Sequence, residues 1–229
     1  MVMEKDRQAR TRVRGIVCDV GHVIIRDSVL NHVLRRIGAH DVSRVLYDMR
    51  VLAGKDAQEV ERWVDAVIRE KVAAFESRSA REIQDIAREV ALTPGIRRLL
   101  WVAQRRGVPV LLMGAVPALV TRALLTGMRV TVDEVVGTDV AVTNGRIGRV
   151  RSVCTPLRKA EAVKVWLRRR KLKRRDCVVI GDSIGDVPAM RLVPRCNRVG
   201  FNATHRSVKR YVGRNYAANM HELTRWLFQ

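Results

Sequence analysis

The stretch that decides the fold is DCVVIGDSIGDVPAM, residues 176–190. Cys177 to Ile180 is a short run of apolar, mostly β-branched residues, which reads as a strand buried on both faces. It ends in Gly181 and Asp182, with Asp186 four residues on, and Gly181 and Gly185 permit a tight loop. A second run of the same kind, VRGIVCDV (13–20), also ends in a carboxylate, Asp19, followed by Gly21 and His22. In open α/β sheets, sites form beyond the carboxyl ends of the strands. Asp19, Asp182 and Asp186 would converge there, and such a cluster suits a hard cation such as Mg²⁺. One aspartate after a strand is as readily a helix N-cap. Three of them at the ends of two buried strands fit that reading poorly.

Outward from these two runs, the periodicity alternates between strand and helix. Residues 28–91 read as helices only: VLNHVLRRIG ended by Gly38, VSRVLYDMRVL (42–52), AQEVERWVDAVIREKVAAF (57–75), and SAREIQDIAREV (79–90) with Ser79 as N-cap and Glu82 completing a capping box. After Thr93-Pro94-Gly95 come a helix ending at Gly107, a strand over 108–113, and a helix from Pro117 to Gly127. Asn144-Gly145, between alternating apolar residues, marks a hairpin. A helix with a basic tail leads into the strand at 176–182, Asn197 to Gly200 is a candidate for a further strand, and ELTRWLF closes the chain as a helix. This predicts an α/β protein, a parallel sheet with helices on both faces and an all-helical insertion. The expected division is a core of 11–27 and 92–229, a helical insertion over 28–91, and a basic tail over 1–10. Trp63, Trp101 and Trp166 sit among apolar residues at helical spacing, so packing roles are expected for them.

Composition narrows the class. Of 229 residues 47% are hydrophobic, enough for a core, which excludes general disorder. No apolar run reaches the roughly 18–20 residues of a membrane span. The charged N-terminus lacks a signal-peptide apolar region, so a cytoplasmic protein is expected. Cys18, Cys154, Cys177 and Cys196 lie far apart, which argues against a zinc site and a disulfide framework. The formal net charge is +21. Residues 1–92 carry 17 basic against 15 acidic residues, a net of +2; residues 93–229 carry 27 against 8, a net of +19. The run RRRKLKRR (Arg168, Arg169, Arg170, Lys171, Lys173, Arg174 and Arg175) is the densest patch. An arginine-rich proteome would raise the total, but concentration in one half points to a polyanionic partner.

The motifs resemble those of the haloacid dehalogenase superfamily, in its phosphoserine-phosphatase-like branch with a helical cap. GDSIGD looks like the family's fourth motif. CDVGHVI stands at the first, VLLMG at the second, and Lys159 where the third-motif lysine belongs. The resemblance implies a Rossmann-like core, a mobile cap at 28–91, and Mg²⁺-dependent hydrolysis of a small phosphate ester. Asp19 would attack phosphorus and form an aspartyl-phosphate. Asp19, the Gly21 carbonyl, Asp182 and Asp186 would hold the metal. Lys159 would bridge nucleophile and phosphoryl group, and the backbone of Gly114 and Ala115 would contact phosphate.

Two positions depart from the family pattern. Gly21 replaces the acid/base aspartate, whose help is typically worth about 10²–10⁴-fold. Gly114 replaces the second-motif hydroxyl residue. His22 is a neighbouring titratable group, one residue out of register. Two readings therefore stand: a Mg²⁺-dependent phosphatase, weakened by these losses, or a catalytically impaired member that binds RNA or a ribonucleoprotein through its basic half. Few aromatics lie near RRRKLKRR, so backbone contact without sequence readout is expected.

Overall fold

The computed structural model describes residues 13–40, 56–203 and 206–229. The expected tail 1–10 and helix 42–52 lie outside the described residues. Five parallel strands form the centre of the sheet: β1 (Gly15–Asp19), β2 (Val110–Pro117), β3 (Glu134–Thr143), β5 (Cys177–Gly181) and β6 (Arg198–Phe201). β4 (Arg146–Ser152) pairs antiparallel with β3, and the two-residue β7 (Tyr216–Ala217) pairs parallel with β6. The order is β4-β3-β2-β1-β5-β6-β7, so β1 and β5, the two runs that end in aspartates, are direct neighbours.

Side chains alternate across this sheet, as a period of two requires. Ile16, Cys18, Leu112, Val178 and Ile180 join one buried cluster, whereas Val17, Leu111, Met113, Cys177 and Val179 join another. Helices α4 (Ile96–Arg105), α5 (Ala118–Met128) and α9 (Met220–Phe228) supply the first cluster; α6 (Pro156–Arg169), α7 (Val187–Met190) and α8 (Arg206–Val212) supply the second. The sheet is thus covered on both faces. Each large apolar side chain fully buried in this way contributes roughly 1.5–3 kcal/mol of transfer free energy.

Within 28–91 the described residues form α1 (Val29–Arg36), α2 (Ala57–Ala73) and α3 (Ala80–Arg88). Each begins where a side chain can cap it: the Ser28 hydroxyl accepts from Asn31 N, Asp56 Oδ1 from Glu59 N, and the Ser79 hydroxyl from Glu82 N. Val29, Val33, Val64, Ile68 and Ile83 from these helices, with Phe75 just beyond α2, share the first cluster with the sheet. The chain enters and leaves the segment at one place. Ile25 bridges Leu92, Arg26 N–H donates to Ala91 O, and Thr93 N–H donates to Ile24 O. The β3–β4 hairpin turns at Asn144 (φ 50°) and Gly145 (φ 72°), the pair of left-handed residues that a two-residue turn needs. Its tip is hydrogen-bonded to the α2–α3 connection: Ser77 N–H donates to Ile147 O, Ile147 N–H to Arg78 O, and Ala80 N–H to Gly145 O.

Three features differ from the sequence expectation. β2 runs on to Pro117, and α5 starts at Ala118, because the strand resumes pairing with β3 after a register shift between Met113 and Pro117. β7, α7 and α8 are too short to show a period. Trp101 does not pack in the core. It is 54% exposed, with the Arg105 guanidinium 5.6 Å from its ring centroid. Its helix buries Ile96, Leu99, Leu100 and Ala103, which puts position 101 on the far face of an apolar run that wraps around the helix. Trp166 is fully buried and donates its indole N–H to Asp133, and Trp63 is half-buried against the first cluster. Among the described residues no helix is long and apolar enough to cross a membrane.

Candidate active site

Asp19 is the last residue of β1 and is 4% exposed. One strand over, Gly181 ends β5, and Asp182 and Asp186 follow it in a short turn. Lys159 reaches the same point from α6, whose first turn is fixed by Thr155: its hydroxyl accepts from Arg158 N. Lys159 Nζ donates to Asp19 Oδ1 at 2.5 Å and to Asp186 Oδ1 at 2.8 Å. Asp186 is fully buried, and its other oxygen accepts from Asp182 N (3.1 Å), Ser183 N (3.2 Å) and Ser183 Oγ (3.2 Å). Glycine at 181 is a matter of space: a Cβ there would lie 2.5 Å from Asp186 Oδ2 and 2.6 Å from its Cγ. The structure thus gathers the four charged residues singled out in the sequence at one strand-end crevice.

The electrostatics of the cluster are unbalanced. Burial pushes the Asp19 carboxyl up to about 7; the Asp186 charge raises it further, and Lys159 pulls it back. Burial, then Asp186 and Asp19, hold Asp182 well above the usual carboxylate range. One ammonium faces three carboxylates in a site shielded from water, which leaves a net negative charge. Oxygens of Asp19, Asp182 and Asp186 all lie within 4.8 Å of one another. An all-oxygen donor set with excess negative charge fits a hard divalent cation such as Mg²⁺. The Gly21 carbonyl accepts from Val23 N–H at 2.6 Å, so one of its lone pairs is used inside the loop. His22 is exposed in a left-handed conformation (φ 52°).

The structure gives a steric reason for one of the two departures, Gly114, and none for the other, Gly21. A Cβ on Gly21 would meet only Asp19 Oδ2, at 3.4 Å, and Gly21 is not among the positive-φ residues. A Cβ would fit there, on the side of Asp19. Gly114 is different: its Cβ would lie 3.2 Å from Val20 Cβ, a buried neighbour with little freedom to move. Cys154 also borders the site, a residue sequence reading used only to exclude disulfides. Burial pushes its thiol up to about 11; Lys159 lowers it, Asp19 raises it, and a hydrogen bond from the Gly114 backbone lowers it. Its place just before the cap Thr155 is the one sequence signal that could have found it. Ala115 is half-buried, and its carbonyl accepts from Thr138 Oγ1 at 2.5 Å.

The tentative nucleic-acid residues are split by the fold. Arg168 pairs with Glu161, Arg169 with Glu134, and Arg170 with Asp133. Lys171 turns the chain in a left-handed conformation, and Lys173, Arg174 and Arg175 lie exposed before β5.

The fold is a doubly wound α/β sheet with an acidic crevice beyond two adjacent strand ends, bridged by one buried lysine, where such sheets place their sites. The sequence profile of the family described as haloacid dehalogenase-like hydrolase matches residues 16–191. The chain belongs to that family. No curated protein sequence matches it. Among solved structures, it is similar to a haloacid-dehalogenase-family hydrolase from Salmonella enterica serovar Typhi, with TM-score 0.76, 13% identity, and coverage of 95% of this chain and 72% of that one. A phosphoserine phosphatase solved with a phospho-aspartyl intermediate analogue gives 0.71, 13%, 95% and 100%. A cytosolic 5′-nucleotidase IIIB bound to cytidine gives 0.67, 18%, 93% and 83%.

Proposed function

We propose that this protein is a divalent-cation-dependent phosphatase that forms an aspartyl-phosphate at Asp19. The observation that carries the reading is the Lys159 bridge between Asp19 and Asp186 at the ends of β1 and β5. In the first step a carboxylate oxygen of Asp19 attacks phosphorus, the ester P–O bond breaks with its electron pair going to the leaving oxygen, and the leaving group departs as the anion, to be protonated by solvent. In the second, water attacks the same phosphorus, inorganic phosphate departs, and the Asp19 carboxylate is restored. Lys159 holds Asp19 in place and puts a fixed positive charge beside the transferring phosphoryl oxygens. The backbone around Gly114 and Ala115 supplies further phosphate contact. A cation held by Asp19, Asp182 and Asp186, with the Gly21 carbonyl, would neutralise the phosphate and the incoming carboxylate.

The leaving oxygen gets no help from position 21, where glycine carries no proton. The reading therefore favours esters whose leaving group departs as a stable anion. The test is phosphate release from an aryl phosphate with and without Mg²⁺, native protein against Asp19→Asn. Turnover that disappears in the variant and without metal is the expected result. Turnover that survives Asp19→Asn would overturn the assignment of the nucleophile.

A further inference from the structure

The basic half of the chain folds into a localised pole at the opposite end of the sheet from Asp19. Lys173, Arg174 and Arg175 lie exposed just before β5, at its amino end. Arg191, Arg195 and Arg198 surround the amino end of β6, the next strand. Lys209, Arg210 and Arg214 come from α8 and the turn before β7, the strand after that. Side-chain bonds tie the three groups together. Asn197 Nδ2 donates to Arg175 O at 2.6 Å and to Cys177 O at 2.9 Å. Asn215 Nδ2 donates to Arg195 O at 3.0 Å, the Arg195 guanidinium to Arg210 O at 3.4 Å, and the Arg191 guanidinium to the Tyr211 hydroxyl at 2.7 Å.

Apart from Arg175, whose guanidinium lies 4.0 Å from Asp176 Oδ1, the cations of the pole are not paired with carboxylates among the described residues as Arg168–Arg170 are. From 191 to 214 there is no acidic residue, and Asp176, between the first group and β5, is buried. Arg191 and Arg195 stand close enough to Arg198 to disfavour its charge, adding to the effect of partial burial. Among the described residues the large exposed apolar side chains are Trp101, Val142, Leu157 and Val165, and none belongs to the pole, so those residues give it nothing to insert into a bilayer. Tyr211 and Tyr216 are covered by Arg191 and Lys209, at 5.0 and 5.4 Å from ring to cation, so they are not free stacking platforms. A surface with many cations and no free aromatic face suits regularly spaced phosphates rather than splayed bases.

We propose that this pole, the amino ends of β5, β6 and β7, docks the phosphate backbone of a nucleic-acid duplex without reading its sequence. The pole and the acidic crevice are separated by the length of β5, roughly 13 Å over its five residues. Docking and hydrolysis therefore do not compete for the same face, and the proposal stands whether or not the protein is a phosphatase.

The test is fluorescence anisotropy with an end-labelled RNA duplex and a DNA duplex of the same sequence, across a salt series. Six phosphate contacts predict about a 10³-fold loss of affinity between 50 and 200 mM salt. Lys173→Gln with Arg174→Gln, and separately Lys209→Gln with Arg210→Gln, should each lower the log–log salt slope by about 2. Arg35→Gln with Arg36→Gln on α1 removes the same net charge far from the pole and should leave binding unchanged; melting temperatures confirm that each variant folds. Equal losses from the pole pairs and the α1 pair would mean that overall charge, not the pole, binds the duplex, and would overturn the proposal. So would duplex affinity indifferent to salt, or binding to anionic vesicles with none to either duplex.

Discussion

Restoring a carboxylic acid at position 21 is the sharpest test of the proposed chemistry. The site has room: a Cβ there makes one ordinary van der Waals contact, 3.4 Å to Asp19 Oδ2, and nothing else within 4 Å. The backbone is not in the left-handed region, so an L-residue costs little strain. A new carboxyl in this buried acidic cluster would be pushed toward the protonated form by the same burial and neighbouring carboxylates that raise Asp19 and Asp182. That is the state a general acid needs. Gly21→Asp should therefore accelerate hydrolysis of an alkyl phosphate, whose leaving oxygen must be protonated, by about 10²–10⁴-fold. It should change hydrolysis of an activated aryl phosphate much less, because that group departs as the anion. The assay is kcat/KM for both esters, native and variant, with a melting curve to confirm folding. A well-folded variant with no selective gain on the alkyl ester would refute the reasoning.

Three further outcomes follow from the same geometry. Gly181→Ala places a methyl 2.5–2.6 Å from Asp186, so it should displace that carboxylate and lower both the melting temperature and cation affinity, measured by calorimetry. Lys159→Met leaves two buried carboxylates without their cation and should cost about 3–5 kcal/mol in denaturant unfolding near pH 8; the loss should shrink near pH 5, where Asp19 takes up a proton. The raised Asp19 carboxyl also sets the pH response of the metal-free protein. Its contribution is fully present below the unfolded value of 3.8 and is lost as pH rises through about 7, because the folded state binds the extra proton. A divalent cation held by these carboxylates would need them deprotonated, so a Mg²⁺-induced rise in melting temperature should be larger at pH 8 than at pH 5. An equal rise at both would exclude binding to this cluster.

Most of the site was legible because its residues obey strong local rules. Asp19, Asp182 and Asp186 each follow a run of buried β-type residues, and such runs leave few alternatives. Lys159 was different: in a helix full of cations only the motif register distinguished it, and the structure shows it 7% exposed where Arg158, Lys164, Arg168 and Arg169 of the same helix are exposed. What the sequence did not disclose was three-dimensional. Val20 filling the space beside Gly114, and Cys154 accepting from its backbone, depend on chain segments 94 and 40 positions away from the residue they touch. The same holds for the pole, whose three groups are spread over 173–214 and meet only because β5, β6 and β7 lie side by side. The division of RRRKLKRR into a neutralised half and an exposed half depends on Asp133 and Glu134, which no local pattern places near it. Trp101 was misjudged because apolar spacing on a helix is informative only when the apolar arc is narrow.

The hairpin's grip on the α2–α3 connection has a mechanical consequence. The two crossings between the sheet and the segment 28–91 lie side by side at Ile25 and Leu92, which by themselves would act as a door hinge. A third fastening, at Ser77, Arg78 and Ala80, sits away from that axis and works as a latch. Swinging the helices outward as one rigid leaf would break three backbone hydrogen bonds, or else drag the β3–β4 ribbon along. How far those helices can swing is therefore set by the suppleness of the ribbon as much as by the two strands of the hinge.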